Sequence, residues 1–260
     1  MISQQRYNYS AKHIRRMKIF ERQHLKPIFD ALHRQITPIV KILREQGIQA
    51  TQEALDTIFI NSHLVKPVNE IYKTVGLYFA NKTIYDINQS AKEVKMGFGF
   101  NEEFIRQILL YFSNSLLDQV ILSVSDTTKN QILKILSEGI TNGWGAEKIA
   151  SLLESPELTL WRARMIVRTE SNKAMNYGQL LGEGNSEWES NKIWIAANDH
   201  RTRHSHRVVD GVTIPYKEKF LVPIYHSVGG IRGKHKGIEV QTGVDLMSGP
   251  GDKHASAGNV

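Results

Sequence analysis

From Leu25 onward, apolar side chains return every three or four residues: Leu25, Ile28, Phe29, Leu32, Ile36, Ile39, Val40 and Leu43. That recurrence is one face of an amphipathic helix. Pro27 and Pro38 fall inside it and are expected to interrupt or kink it, because proline removes a donor and crowds the preceding turn. Gly47 is the expected stop. Further helical segments are predicted over Thr51–Ile60 and from Ser62 to Gln89, with Pro67 near the start of the latter. KMGFGFNEEF then breaks the pattern. Asn101 is a good N-cap, and Glu102 and Glu103 suit the positive end of the helix that Phe104, Ile108, Leu109, Phe112, Leu116 and Val120 continue. Asp126 is expected to cap another helix, with Ile132, Ile135 and Leu136 turned inward and Gly143 beyond its end. Ala146–Leu153 is a short helix. Ser155-Pro156-Glu157 opens a long one, with a cap, a proline at the first helical position and an acid in the first turn, running to Gly182 or Gly184.

After Asn185 the character changes. KIWIAA (Lys192–Ala197) is a predicted strand, Asp210-Gly211 a hairpin-type turn, and VTIPY, FLVPIY and GIEVQ short β-like pieces among glycines and prolines. The fold class expected is α+β: a mainly helical N-terminal region, then a small α/β domain with few short strands. The boundary is expected near 155. Residues 1–154 would form a helical assembly or docking region and residues 155–260 the second domain, including the long helix.

The 260 residues carry a net charge of +7 and no cysteine. Disulfides and thiolate metal sites are therefore excluded, and a reducing compartment is compatible. There is no apolar run long enough for a membrane span. The opening MISQQRYNYSAKHIRRMKIF has no apolar core and is not expected to act as a secretory signal. Charge is unevenly placed. Residues 1–47 hold ten Lys/Arg against three acids, residues 48–190 thirteen against seventeen, and residues 191–260 ten against six. The basic first helix, through Lys12, Arg15, Arg16, Lys18 and Arg22, suits double-stranded DNA bound without sequence preference, or an acidic protein surface. It equally suits a solvated helix face. The aromatics of this region form no stacking platform for single strands.

Chemistry concentrates in NDHRTRHSHRVVDG, Asn198–Gly211. Six of the ten histidines lie between His200 and His254, with Asp199, Asp210 and Asp252 among them. A metal-dependent nuclease or toxin-like enzyme could use such a His/Asp cluster. Against it, His204 and His206 are two apart, there is no His-Glu-x-x-His, and no carboxylate pair has a recognised spacing. No cofactor, metal or catalytic residue is assigned. The favoured reading is structural. Glu170 lies within the apolar face Ala163, Ile166, Val167, Ala174, Tyr177 and Leu181 of the long helix, where an unpartnered carboxylate is costly. Arg201 or Arg203 is the expected bidentate partner. Asp199 would cap the turn Arg201–His206, His206 would bond a carboxylate or carbonyl, and Asp210-Gly211 would turn the chain back.

Taken together, these residues resemble the Mu F-like family of phage minor head proteins. The resemblance is carried by Arg168, Thr169, Glu170, Ala174, Asn176 and Gly178, then Trp194, then Asp199, Arg201, Thr202, Arg203 and His206. It closes with Asp210, Gly211, Phe220, Pro250, Gly251 and Asp252. It covers roughly residues 138–254. Family members commonly continue into an Asn-Cys-Arg-Cys-like strand, where this sequence has Gly258-Asn259-Val260. The resemblance implies a virion protein of few copies at the portal vertex of the head, present in the host cytoplasm during assembly. It implies a portal ring as partner, capsid or scaffold protein beside it, and a part in head assembly and in DNA packaging or ejection. Neither a membrane partner nor enzymatic activity is implied.

Overall fold

The computed structural model describes residues 2–58, 63–90, 106, 110, 117–186, 188–196, 202–228 and 238–247. Two compact units divide the chain: Met1–Leu77 with Phe98–Ala174, and Tyr78–Gly97 with Met175–Val260. The boundary expected at 154/155 falls inside the first unit. The long helix is divided between the two units after Ala174, and a segment from before residue 98 joins the C-terminal part.

The helical unit begins with α1, Ile2–Ile58. It runs through both prolines and breaks instead at Gly47, whose φ of 85° suits only glycine well. The prolines are tolerated because both are exposed. The carbonyls they leave without a helical donor belong to Gln23 and Arg34, also exposed and open to water. On the opposite side Ile28, Leu32, Ile36, Ile39, Val40 and Leu43 are buried, each contributing about 1.5–3 kcal/mol. That outweighs the loss of two helical hydrogen bonds.

Helix α2, Val65–Ile71, passes through a wide π turn at Tyr72–Gly76 into α3, Leu77–Ser90. Helix α4 spans Leu117–Thr141 without interruption. Asp126, expected as a cap, therefore lies in mid-helix. Buried Ile121, Val124, Ile132 and Leu136 continue one apolar face past it, and packing overrides the local capping signal. Helix α5 is Ala146–Leu153 and α6 is Pro156–Gly184. Ser155 caps α6: its Oγ accepts from the Leu158 N–H at 3.4 Å and donates to Glu157 at 2.7 Å. The Asn101 helix start lies outside the described residues. The core of the unit joins Ile36, Ile39, Val40, Leu43 and Leu55 of α1 with Ile132 and Leu136 of α4 and Ile149, Ala150 and Leu153 of α5. Arg44 ties α1 to α5 at the surface. Its guanidinium forks between Glu147 and Glu154 at 2.8–3.0 Å.

The C-terminal unit holds two separate antiparallel pairs among its described residues. Strand β1, Asn191–Ile193, pairs with β2, Thr213–Pro215; β3, Phe220–Val228, pairs with β4, Ile238–Met247. A short helix α7, His204–Val208, precedes β2. Phe220 faces Met247 across the longer pair, and the register shifts between Ile224 and Tyr225. This is the α+β class expected. The predicted strand Lys192–Ala197 is shorter than its apolar run. Trp194, just past the end of β1, forms the core with Val209, Phe220, Val222 and Met247.

Candidate functional site

The motif residues of the C-terminal unit assemble around one indole. Trp194 is 1% exposed. Its ring meets Phe220 edge-on at 5.2 Å and His206 at 5.3 Å. The backbone locks it in place: the Trp194 N–H donates to the Val212 carbonyl at 3.0 Å, and the Gly211 N–H donates to the Trp194 carbonyl at 2.8 Å. Gly211 adopts φ 84°, which lets the chain reverse there. Asp210 Oδ1 accepts the Ala196 N–H at 2.9 Å, satisfying a donor beyond the end of β1. His206 thus packs against an aromatic wall, and Asp210 serves backbone. Neighbouring His204 is exposed and stacks on Tyr225 at 4.4 Å with 7° between the rings. Arg203 immediately precedes α7 and is exposed.

Glu170 belongs to the helical unit and is 3% exposed. Tyr72 donates its hydroxyl to one carboxylate oxygen, and Lys173 sits 3.3 Å from the other. Arg162 adds a second positive charge. Its guanidinium donates to Thr128 Oγ1 at 3.2 Å and to the Val124 carbonyl at 3.0 Å. Burial lowers its pKa, and the charge of Glu170 works against that shift. The partners seen for Glu170 are therefore a tyrosine and a lysine. Of the arginines expected there, Arg201 lies outside the described residues and Arg203 belongs to the other unit. Arg168, one turn from Glu170's opposite side, is exposed, and Asn176 is half-buried.

Two polar clusters have no motif signal. In the helical unit buried His24 bonds Thr74 at 2.8 Å. Burial lowers its pKa, with Glu70 opposing. In the C-terminal unit Ser190 donates to Glu183, and the Tyr216 hydroxyl donates to the Leu180 carbonyl at 2.7 Å. Lys192 lies over the Tyr216 and Phe220 rings at 5.6 and 5.5 Å. Burial raises the pKa of Glu183, while Ser190 and Lys192 pull it down; burial and Glu183 raise Tyr216.

In the N-terminal helix Lys12, Arg15, Lys18 and Arg22 are exposed. Arg16 is half-buried, its guanidinium 5.2 Å from the Phe20 ring. Among the described residues no three His, Asp or Glu side chains come together as a metal site. Asp199, Pro250 and Asp252, with His200, His235 and His254, lie outside those residues. No described helix is long and apolar enough to cross a membrane.

Residues 130–227 match the family model described as phage Mu protein F like protein. Minor head protein GP7 of Bacillus phage SPP1 is 33% identical over 107 residues, covering 40% of this chain and 34% of that protein. An uncharacterized protein of Methanocaldococcus jannaschii is 31% identical over 109 residues, covering 41% of this chain and 17% of its own. The chain thus spans about a third or less of the curated relatives it matches. No solved structure matches it.

Proposed function

We propose that the chain, whose residues 130–227 match the phage Mu protein F like model, is a minor head protein that docks at the portal vertex of a tailed-phage or prophage head. There it acts in head assembly and in DNA packaging or ejection. The observation that carries this reading is the match over 130–227, which takes in Glu170, Trp194, His206, Asp210 and Phe220. Its partners are the portal ring and, beside it, capsid or scaffold protein; its place is the virion, and the host cytoplasm before assembly is complete.

The basic N-terminal helix is assigned to the DNA. Lys12, Arg15, Lys18 and Arg22 are exposed within three helical turns, a stripe suited to a phosphate backbone. Such binding is independent of sequence and weakens steeply with salt. The competing reading, a metal-dependent nuclease or toxin-like enzyme, draws no support from His206 and Asp210, whose ring and carboxylate serve the Trp194 core.

Co-expression with a portal protein from the same genome tests the assignment. A stable complex with the portal ring is expected, together with retention on duplex DNA that is lost at high salt. Plasmid nicking that depends on His206 and a divalent metal, with no portal complex, would replace this reading with the enzymatic one.

A further inference from the structure

Helix α6 has a face that no described part of the protein covers. Trp161, Arg164, Met165 and Arg168 recur at i, i+3, i+4 and i+7, so they form one stripe. The opposite side is buried through Ala163, Ile166, Val167, Glu170 and Ala174. On the stripe Trp161 is 51% and Met165 40% exposed, and both arginines are exposed.

The two arginines differ from the surface lysines that carry an i,i+4 acid. Lys26, Lys41, Lys82 and Lys134 each have an acid one turn onward: Asp30, Glu45, Asp86 and Glu138. The positions one turn from the arginines are Leu160, Asn172 and the arginines themselves. Among the described residues Arg164 and Arg168 have no hydrogen-bond or ion-pair partner. The acids of α6 are engaged elsewhere: Glu157 with Ser155, Glu170 with Tyr72 and Glu183 with Ser190.

We propose that this stripe is a protein-docking surface, and that its partner presents an apolar pocket rimmed by carboxylates. Tryptophan, methionine and arginine are enriched at protein interfaces, and tryptophan and arginine carry most of the energy there. Two unpaired cations flanking two apolar side chains call for acids around a pocket. A DNA backbone would satisfy the arginines but offers no pocket for Trp161 and Met165. A second copy docked through the same stripe would set arginine against arginine. The proposal rests on the portal-docking reading above, and the occupant it names is the portal ring.

The test is co-purification of the full chain with that ring. Trp161→Ala and the double variant Arg164→Glu/Arg168→Glu are expected to lower portal binding about tenfold or more. The Arg164→Glu/Arg168→Glu variant should keep the wild-type melting temperature, since both arginines are exposed. Leu122→Ala removes an apolar side chain of similar exposure on α4 and should leave binding intact. Wild-type binding that survives the stripe variants would overturn the surface while keeping the portal reading. A wild-type chain that does not bind the ring at all would remove both. Unchanged portal binding with weakened retention on duplex DNA would give the stripe to DNA and overturn the proposal.

Discussion

The two units reach stability by different routes. The helical unit gathers ten buried side chains from three helices, bringing residues 36–55 against residues 132–153. The C-terminal unit gathers four around a single tryptophan, between short strand pairs. In the first, no one side chain dominates; in the second, Trp194 is in ring contact with both Phe220 and His206. A broad core tolerates one truncation better than a small one built on a single ring, because the same lost area is a larger share of the total.

The largest expected effect follows directly. Trp194→Ala should cost about 3–5 kcal/mol. The loss should appear as a collapse of near-ultraviolet circular dichroism and of amide protection in β3 and β4. Most far-ultraviolet helical signal should remain at temperatures where the C-terminal unit is open. Equal loss of protection in α1 would mean that the units do not differ as described. Next comes Glu170→Ala, which leaves buried Tyr72 without its acceptor and Lys173 without its counter-charge, at about 3 kcal/mol. A melting temperature equal to wild type would remove Glu170 from the framework of the helical unit. Tyr72→Phe should recover part of the loss in the double variant, since no donor is then left unpaired.

The smallest effect separates the units by sign. Burial holds His24 neutral, below the ordinary imidazole value. On acidification below about pH 6.5 the unfolded chain takes up a proton that folded His24 refuses, so the helical unit loses stability as pH falls. Burial raises Glu183 above the ordinary carboxylate value. Its folded carboxyl binds a proton before the unfolded one does, so acidification through that folded value adds stability to the C-terminal unit. His24→Gln should flatten the first slope and Glu183→Gln the second, read by amide exchange in α1 and in β1 separately. Slopes of one sign in both units would contradict the assignment.

These contrasts also show what a sequence discloses. The apolar period from Leu25 to Leu43 and the Ser155-Pro156-Glu157 start of α6 were legible, because caps and helix faces are local chemistry. The run past Pro27 and Pro38 was not, since it depends on which side of the helix meets water. Asp126 misled for the same reason: packing of Ile121 and Val124 decides there, not capping. That Glu170 needed a partner could be argued from its apolar surroundings. That the partner would be Tyr72, 98 positions away, could not. The Glu183–Ser190–Tyr216 cluster has no motif spacing, so only the fold brings it together. The exposure of Trp161 and Met165 beside two unpaired arginines came from the structure.

We propose that this chain sits at the portal vertex of the phage head. Quantitative mass spectrometry of purified phage heads tests it most directly. The chain should be present at a fixed, low ratio to the portal subunit and should disappear from heads assembled without portal. Heads that contain portal and capsid protein but none of this chain would contradict it.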